Sequence, residues 1–244
     1  MKHTLAEAAS ELSRNLELDL PPVQVSYLDA APEGIDRHPG GVPSVCTFFA
    51  EAKDRSFYAP VGDHEACEIG AFVLGIPPKG ELGDRLASTV GKMQKEGYLA
   101  PGDEAKIPHN SEAPAFVAYG RLGTLDLPPT GILLFARPKS VMLALESAGF
   151  QTPVMGRPMC SVMPTLVGGT PIALSAGCIG SRTYARIGDD RMIVGIRGDH
   201  LDTFLNDLRR VRAANESVRQ EDEWRRDLAA HPYRPAPPVR SSAA

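Results

Sequence analysis

The sequence contains no apolar run long enough to cross a lipid bilayer, which takes about 20 consecutive residues. One of the longest runs, residues 132–136, has only five residues. Near the amino terminus, Glu7 and Glu11 interrupt the apolar stretch that a signal peptide requires. These absences predict a cytoplasmic protein with no membrane partner. Its four cysteines should remain free thiols, because the cytosol keeps thiols reduced.

An excess of basic charge is also missing. The 26 lysines and arginines are outnumbered by 30 aspartates and glutamates, so the net charge is −4. This balance argues against a nucleic-acid partner, which is normally bound through a basic surface. The sequence also lacks a Walker motif, a Rossmann glycine pattern and a Gly-x-Ser-x-Gly elbow. Nucleotide hydrolases, classical dehydrogenases and α/β-hydrolases are therefore disfavoured.

Apolar residues recur with both the helical and the strand period along the chain. Alternation over residues 23–28 predicts a strand, and the apolar runs at 131–136 and 192–196 predict two more. Residues 65–74, 82–95 and 139–148 are predicted to form helices, the second of them from its helical spacing of apolar residues. We therefore expect an α+β fold, with short strands in mixed sheets and helices around them.

Two segments of the chain look alike. The first contains Cys46 and Cys67, which are 21 residues apart, and the second contains Cys160 and Cys178, which are 18 residues apart. In each segment a helical stretch and a short strand separate the two cysteines, and a glycine follows the second cysteine closely. This similarity predicts an internal duplication, in which equivalent residues meet near a pseudo-twofold axis.

The chain accordingly divides into four predicted parts. Residues 1–110 and 111–210 are predicted to be two similar halves of a single domain. Residues 211–230 are predicted to form a C-terminal helix, and residues 231–244 a disordered tail, because they are rich in proline and lack periodicity. The apolar face of the helical stretch 201–228 is a candidate contact for a homodimer.

All the cysteines of the chain lie in the two similar segments. Four thiolates are the usual ligands of a cubane iron–sulfur cluster or a closed zinc site. One interpretation is therefore a metal- or iron–sulfur-binding protein with a candidate redox role, with Cys46, Cys67, Cys160 and Cys178 as ligands. The other is four small buried side chains, because no Cys-x-x-Cys pair is present and free cysteine is often buried.

His64 lies three residues before Cys67, so the two residues could share one helical turn. This spacing makes His64 a reserve metal ligand or a hydrogen-bond donor to a ligand. The alternative is an ordinary residue at a helix N-terminus that is capped by Asp63.

Two further functions remain open from the residues. The first is an enzyme with a single activated cysteine, Cys178, as its nucleophile and His64 as its base. In this reading Gly180, Ser181 and Arg182 form a turn that binds an anion. The second is a protein that binds a small molecule or anion between its two halves without chemistry. The substrate, ligand or redox partner is not indicated by the sequence.

Several motifs together resemble a known family, the uncharacterised ArCR family of bacteria and archaea. They are residues 18–25, 46–49, 63–71, 74–75, 158–161 and 177–182. The resemblance covers roughly residues 5–210 and implies one intact domain. The family has no established activity, so the resemblance draws attention to the cysteine segments without assigning a reaction to them.

Overall fold

A computed structural model describes residues 4–149, 154–155 and 158–230. Within these residues the fold is α+β, as predicted. The helices are α1 (Leu5–Asn15), α2 (Val45–Glu51), α3 (Glu68–Leu74), α4 (Gly80–Lys95), α5 (Pro138–Ala148), α6 (Val162–Val167), α7 (Ile179–Thr183) and α8 (Leu201–Ala230). The strands are β1 (Val23–Leu28), β2 (Phe57–Pro60), β3 (Phe116–Arg121), β4 (Gly131–Ala136), β5 (Val154–Met155), β6 (Ile172–Ser175) and β7 (Met192–Arg197).

The strands form one sheet in the order β2-β3-β1-β4-β7-β6-β5. Neighbouring strands are antiparallel, except that β5 and β6 are parallel. On one side of the central β1–β4 pair, the order β1, β3, β2 matches the order β4, β7, β6 on the other side. β5 has no counterpart on the other side. The internal duplication stays a prediction.

The predicted boundary between the halves at residue 110 stays a prediction. β3 lies in the predicted second half, yet it pairs with β1 and β2 of the first half. Local alternation identifies a strand but does not show which strand it pairs with, and this pairing places β3 with the residues that precede it.

The two faces of the sheet carry different layers. Along β4, Ile132 and Leu134 pack with α1, α5 and α8, whereas Leu133 and Phe135 pack with α2 and α6. This division follows from the strand geometry, because successive side chains point to opposite faces. All six residues of β4 are buried, so the sheet is covered on both sides at its centre.

The C-terminal helix α8 covers the helical stretch 201–228 and begins before residue 211, where the predicted C-terminal part starts. Its first turns bury Leu201, Phe204, Leu205 and Leu208. Its later turns are largely exposed, including Val218. The homodimer through residues 201–228 stays a prediction. The predicted disordered tail, residues 231–244, lies outside the described residues.

None of the helices in the described part of the chain combines the length and the apolar character that a membrane span requires.

Two glycines let α6 lie directly on the sheet. A Cβ atom at Gly195 would be 2.3 Å from Cγ1 of Val162 and 3.1 Å from Cδ1 of Leu166. A Cβ atom at Gly131 on the neighbouring strand would be 2.8 Å from Sδ of Met163. These distances leave no room for a side chain, so glycine is required by the close approach of the helix.

Gly195→Ala is therefore expected to destabilise the protein by about 1–3 kcal/mol, because it overpacks the core. The free energy of unfolding in urea measures this. Gly91→Ala on α4 is the matched control, because no atom lies within 4 Å of its Cβ position. This control should be neutral or stabilising by up to about 1 kcal/mol, since alanine favours helix. An unchanged unfolding midpoint for Gly195→Ala would contradict the packing described here.

Candidate functional site: a four-cysteine cavity

All four cysteines line one cavity of about 640 Å³ on the α2/α6 side of the sheet. Cys46 lies in α2, Cys67 directly before α3, Cys160 before α6 and Cys178 directly before α7. The chain segments that carry them are far apart in sequence. Their convergence is therefore a property of the tertiary structure, whereas the pseudo-twofold relation between the two similar segments stays a prediction.

Cys67 and Cys178 have the same local structure. Each follows a strand and a short connection, has an extended backbone and forms the N-cap of a short helix. The Sγ atom of Cys67 accepts a hydrogen bond from the Gly70 N–H at 3.3 Å, and that of Cys178 accepts one from the Ser181 N–H at 3.4 Å. Both sulfurs therefore receive a backbone donor three residues later in the chain.

The predicted helix over residues 65–74 begins too early for this reason. Residues Val61–His64 form a 3-10 turn, and α3 starts only at Glu68. The helical spacing of the apolar residues did not show that Cys67 is extended. The cap of the helix is thus the sulfur of Cys67 and not the carboxylate of Asp63.

Cys46 and Cys160 lie deeper than the other two cysteines. Cys46 is 4% exposed and Cys160 is 6% exposed, whereas Cys67 and Cys178 are half-buried. Cys46 is the second residue of α2, and Cys160 lies in the 3-10 turn Met159–Ser161. The cavity therefore has two well-buried sulfurs and two that are more accessible.

The pKa values of the cysteines differ because their contacts with one another and their burial differ. The Cys46 thiol, aided by the N–H groups of Met159 and Ser181, lowers the pKa of Cys178 to about 5. Hydrogen bonding to Cys160 and Cys178, together with burial, raises the pKa of Cys46 well above its usual value. Burial is the main cause that raises the pKa of Cys67 to about 11. Near neutral pH the site thus holds a thiolate at Cys178 beside neutral thiols at Cys46 and Cys67.

In the described residues, no three His, Cys, Asp or Glu side chains are arranged so that they could hold a single metal ion.

His64 does not line the cavity, contrary to its predicted role as a ligand or base. Its Nδ1 atom lies 3.1 Å and 3.0 Å from the carbonyl oxygens of Pro60 and Val61, so Nδ1 carries the hydrogen. Its Nε2 atom lies 2.8 Å from the Tyr119 hydroxyl, which therefore donates to it. The ring also packs against Phe48. Burial lowers the pKa of His64 to about 4, so it is a neutral member of an aromatic cluster.

The predicted anion-binding turn is only partly at the cavity. Gly180 lines it, but the N–H and hydroxyl groups of Ser181 are bonded to Cys178. The Arg182 guanidinium donates to the carbonyl oxygens of Ala176 and Gly188 and pairs with Asp189. Arg182 is therefore directed away from the cavity and holds the following loop.

The opposite wall of the cavity was not predicted from the sequence. It consists of α4 and the segment that follows it, with Thr89, Met93, Tyr98, Leu99, Asp103 and Lys106 among the lining residues. The apolar stripe of α4 was the available signal, and it predicts a core helix. In the structure Leu82 is buried, whereas Leu86, Val90 and Met93 are only half-buried. This incomplete burial distinguishes a cavity wall from a core helix.

The model of the family described as Uncharacterised ArCR matches residues 11–207. No curated protein and no solved structure matches the chain significantly. The family match covers most of the chain and includes all four cysteines, and it agrees with the motifs that resemble this family in the sequence. The chain therefore belongs to the Uncharacterised ArCR family.

Proposed function

We propose that this protein binds an iron–sulfur cluster through Cys46, Cys67, Cys160 and Cys178. The observation that carries the proposal is that all the cysteines of the chain, from four separate segments, line one cavity. Four cysteine thiolates are the usual ligand set of such a cluster. When bound, the cluster would supply one-electron redox chemistry.

The accessibility of the site favours a cluster over a structural zinc ion. A structural zinc site with four thiolates is closed, with the sulfurs about 2.3 Å from the ion. Here two of the four cysteines, Cys67 and Cys178, are only half-buried and line a cavity that extends beyond the sulfurs. The site would also be accessible to a small molecule or a redox partner, because Cys67 and Cys178 are only half-buried.

The residues of the protein would orient these ligands in two ways. The N–H groups of Gly70 and Ser181 donate to the sulfurs of Cys67 and Cys178, which stabilises negative charge on both. Cys46 and Cys160 are buried beside apolar side chains such as Phe49 and Val162, which exclude water. Such hydrogen bonding and solvent exposure are the means by which a protein sets the potential of a cluster.

Protein purified without oxygen is expected to contain iron and acid-labile sulfide in a stoichiometric ratio, with broad visible absorption. Each single Cys→Ser substitution at the four positions should lose most of this iron, because each removes one ligand. Metal and sulfide analysis with absorption spectroscopy measures the loss. Met93→Leu is the control, since Met93 lines the same cavity and the exchange nearly conserves volume.

Three outcomes would overturn the cluster. One is full retention of iron in all four Cys→Ser variants, and another is the absence of metal from reduced and reconstituted protein. The third is stoichiometric zinc without iron or sulfide, which would indicate a structural zinc site with four thiolates in place of the cluster.

A second candidate function is thiolate chemistry at Cys178, as the sequence analysis also considered. The contacts of its sulfur favour this candidate, because the Ser181 N–H donates to it and the residue is accessible from the cavity. His64 cannot act as its base, since its Nδ1 donates to backbone carbonyl oxygens and its Nε2 accepts from the Tyr119 hydroxyl.

Iodoacetamide at neutral pH is expected to label Cys178 of the metal-free protein before the other three cysteines. The physical reasons are its hydrogen bonds from backbone N–H groups and its exposure, compared with the burial of Cys46 and Cys160. Peptide mass spectrometry over time measures the order, with Cys178→Ser as the control. Slow and equal labelling of all four cysteines would rule this candidate out.

A further inference from the structure

The cavity extends well beyond the four sulfurs. Its volume of about 640 Å³ is within the range of sites for small organic molecules, roughly 300–1,000 Å³. Away from the cysteines its lining is chiefly apolar, with Ile69, Met93, Leu99, Ile107, Ile179 and Tyr184 contributing. The part of the cavity that the cysteines do not occupy is therefore suited to an apolar ligand.

The rim of the cavity carries apolar side chains that are unusually exposed. Ile179 is 59% exposed and Tyr184 is 56% exposed, and both belong to the segment that begins with Cys178. Exposed large apolar side chains that border a cavity commonly mark a binding site. Ile179 is adjacent to Cys178 in sequence, so a molecule that contacts Ile179 lies beside an accessible sulfur.

The charges around the cavity argue against an anionic ligand. The charged lining residues are Glu68, Asp103 and Lys106. Lys106 is paired with Asp103 at 3.0 Å, and the Glu68 carboxylate accepts a hydrogen bond from the Thr89 hydroxyl. Arg182 is bonded elsewhere, as described above. Among the residues that the structure describes, the lining thus presents no cation that lacks a partner, and the net charge of those residues is negative.

Hydrogen bonds connect the α4 wall to the opposite wall. The Thr89 hydroxyl bonds Glu68 at the start of α3, and the Tyr98 hydroxyl accepts from the Ile179 N–H at 3.3 Å. Leu82 is the buried residue of α4, so core packing holds this helix at one residue only. The two hydrogen bonds therefore help to hold α4 and the following segment across the cavity. The walls are therefore in place to enclose a molecule between Met93 and Ile179.

We infer that the cavity binds a neutral apolar small molecule between the α4 wall and the Ile179–Tyr184 rim, next to Cys67 and Cys178. This inference rests on the proposed function in that the ligand would lie beside the cluster. The binding surface itself consists of side chains other than the cysteines, so the two proposals can be tested separately.

The experiment compares two fluorescent probes that share an anilinonaphthalene skeleton. N-phenyl-1-naphthylamine is neutral, and 8-anilino-1-naphthalenesulfonate carries a sulfonate. Titration into the full-length protein, purified without oxygen, is expected to show saturable binding of one neutral probe per chain. The anionic probe should bind at least tenfold more weakly, because the lining is negative.

Two substitutions locate the site. Ile179→Asp should weaken binding of the neutral probe at least tenfold, because it places a charge at the apolar rim. The fold should tolerate it, since Ile179 is exposed and begins α7, where an acidic residue is favourable. Met142→Asp is the matched control, because Met142 is 64% exposed on α5, which packs on the other face of the sheet, and should leave binding unchanged.

Cys46→Ser separates this inference from the cluster. It should abolish iron binding but retain the neutral probe, since Cys46 is 4% exposed and serine is of similar size. The absence of saturable probe binding, equal affinity for both probes, or an unchanged affinity in Ile179→Asp would each overturn the inference. None of these results would bear on the iron content, which tests the proposed function alone.

Discussion

The architecture depends on the burial of one strand, β4, on both of its faces. β4 pairs with β1 on one edge and with β7 on the other, so its hydrogen bonds join the two sets of strands into one sheet. Because its side chains alternate between faces, Leu133 and Phe135 support the cysteine side while Ile132 and Leu134 support α5 and α8. A strand that is covered on both sides is typically a continuous apolar run, and β4 is one.

Local interactions position two of the cysteines that line the cavity, and long-range packing positions a third. Cys67 and Cys178 are positioned by short strand–turn–helix units, in which the sulfur itself caps the helix. Cys46 depends on packing, because Phe48 in the same helix stacks on Tyr119 with ring centroids 5.4 Å apart. His64 does not line the cavity, but its Nε2 atom accepts a hydrogen bond from the Tyr119 hydroxyl and so holds the ring on which Phe48 stacks. These aromatic side chains therefore position α2 relative to the sheet.

Much of the secondary structure follows from pattern alone. The strands at 23–28 and 131–136 occur where alternation and an apolar run predicted them, since a sheet with helices on both faces requires those patterns. The failures have identifiable causes. The helix at α3 starts later than predicted because Cys67 is extended, and β3 belongs with β1 because strand pairing is not encoded in local periodicity. The apolar stripe of α4 did not reveal that Met93 faces a cavity.

The sequence by itself determined many of the local elements, the family and the four cysteines as candidates, because periodicity and motif spacing are local properties. It could not place His64 or Arg182, since each has partners that only the fold brings within hydrogen-bond distance. The tertiary structure decided that the four sulfurs share one cavity and that α4 forms its opposite wall. The physical reason is that the placement of the sulfurs and of α4 depends on strand pairing across the β1–β4 junction and on the packing of helices over the sheet. Both kinds of interaction join residues that are far apart in the chain.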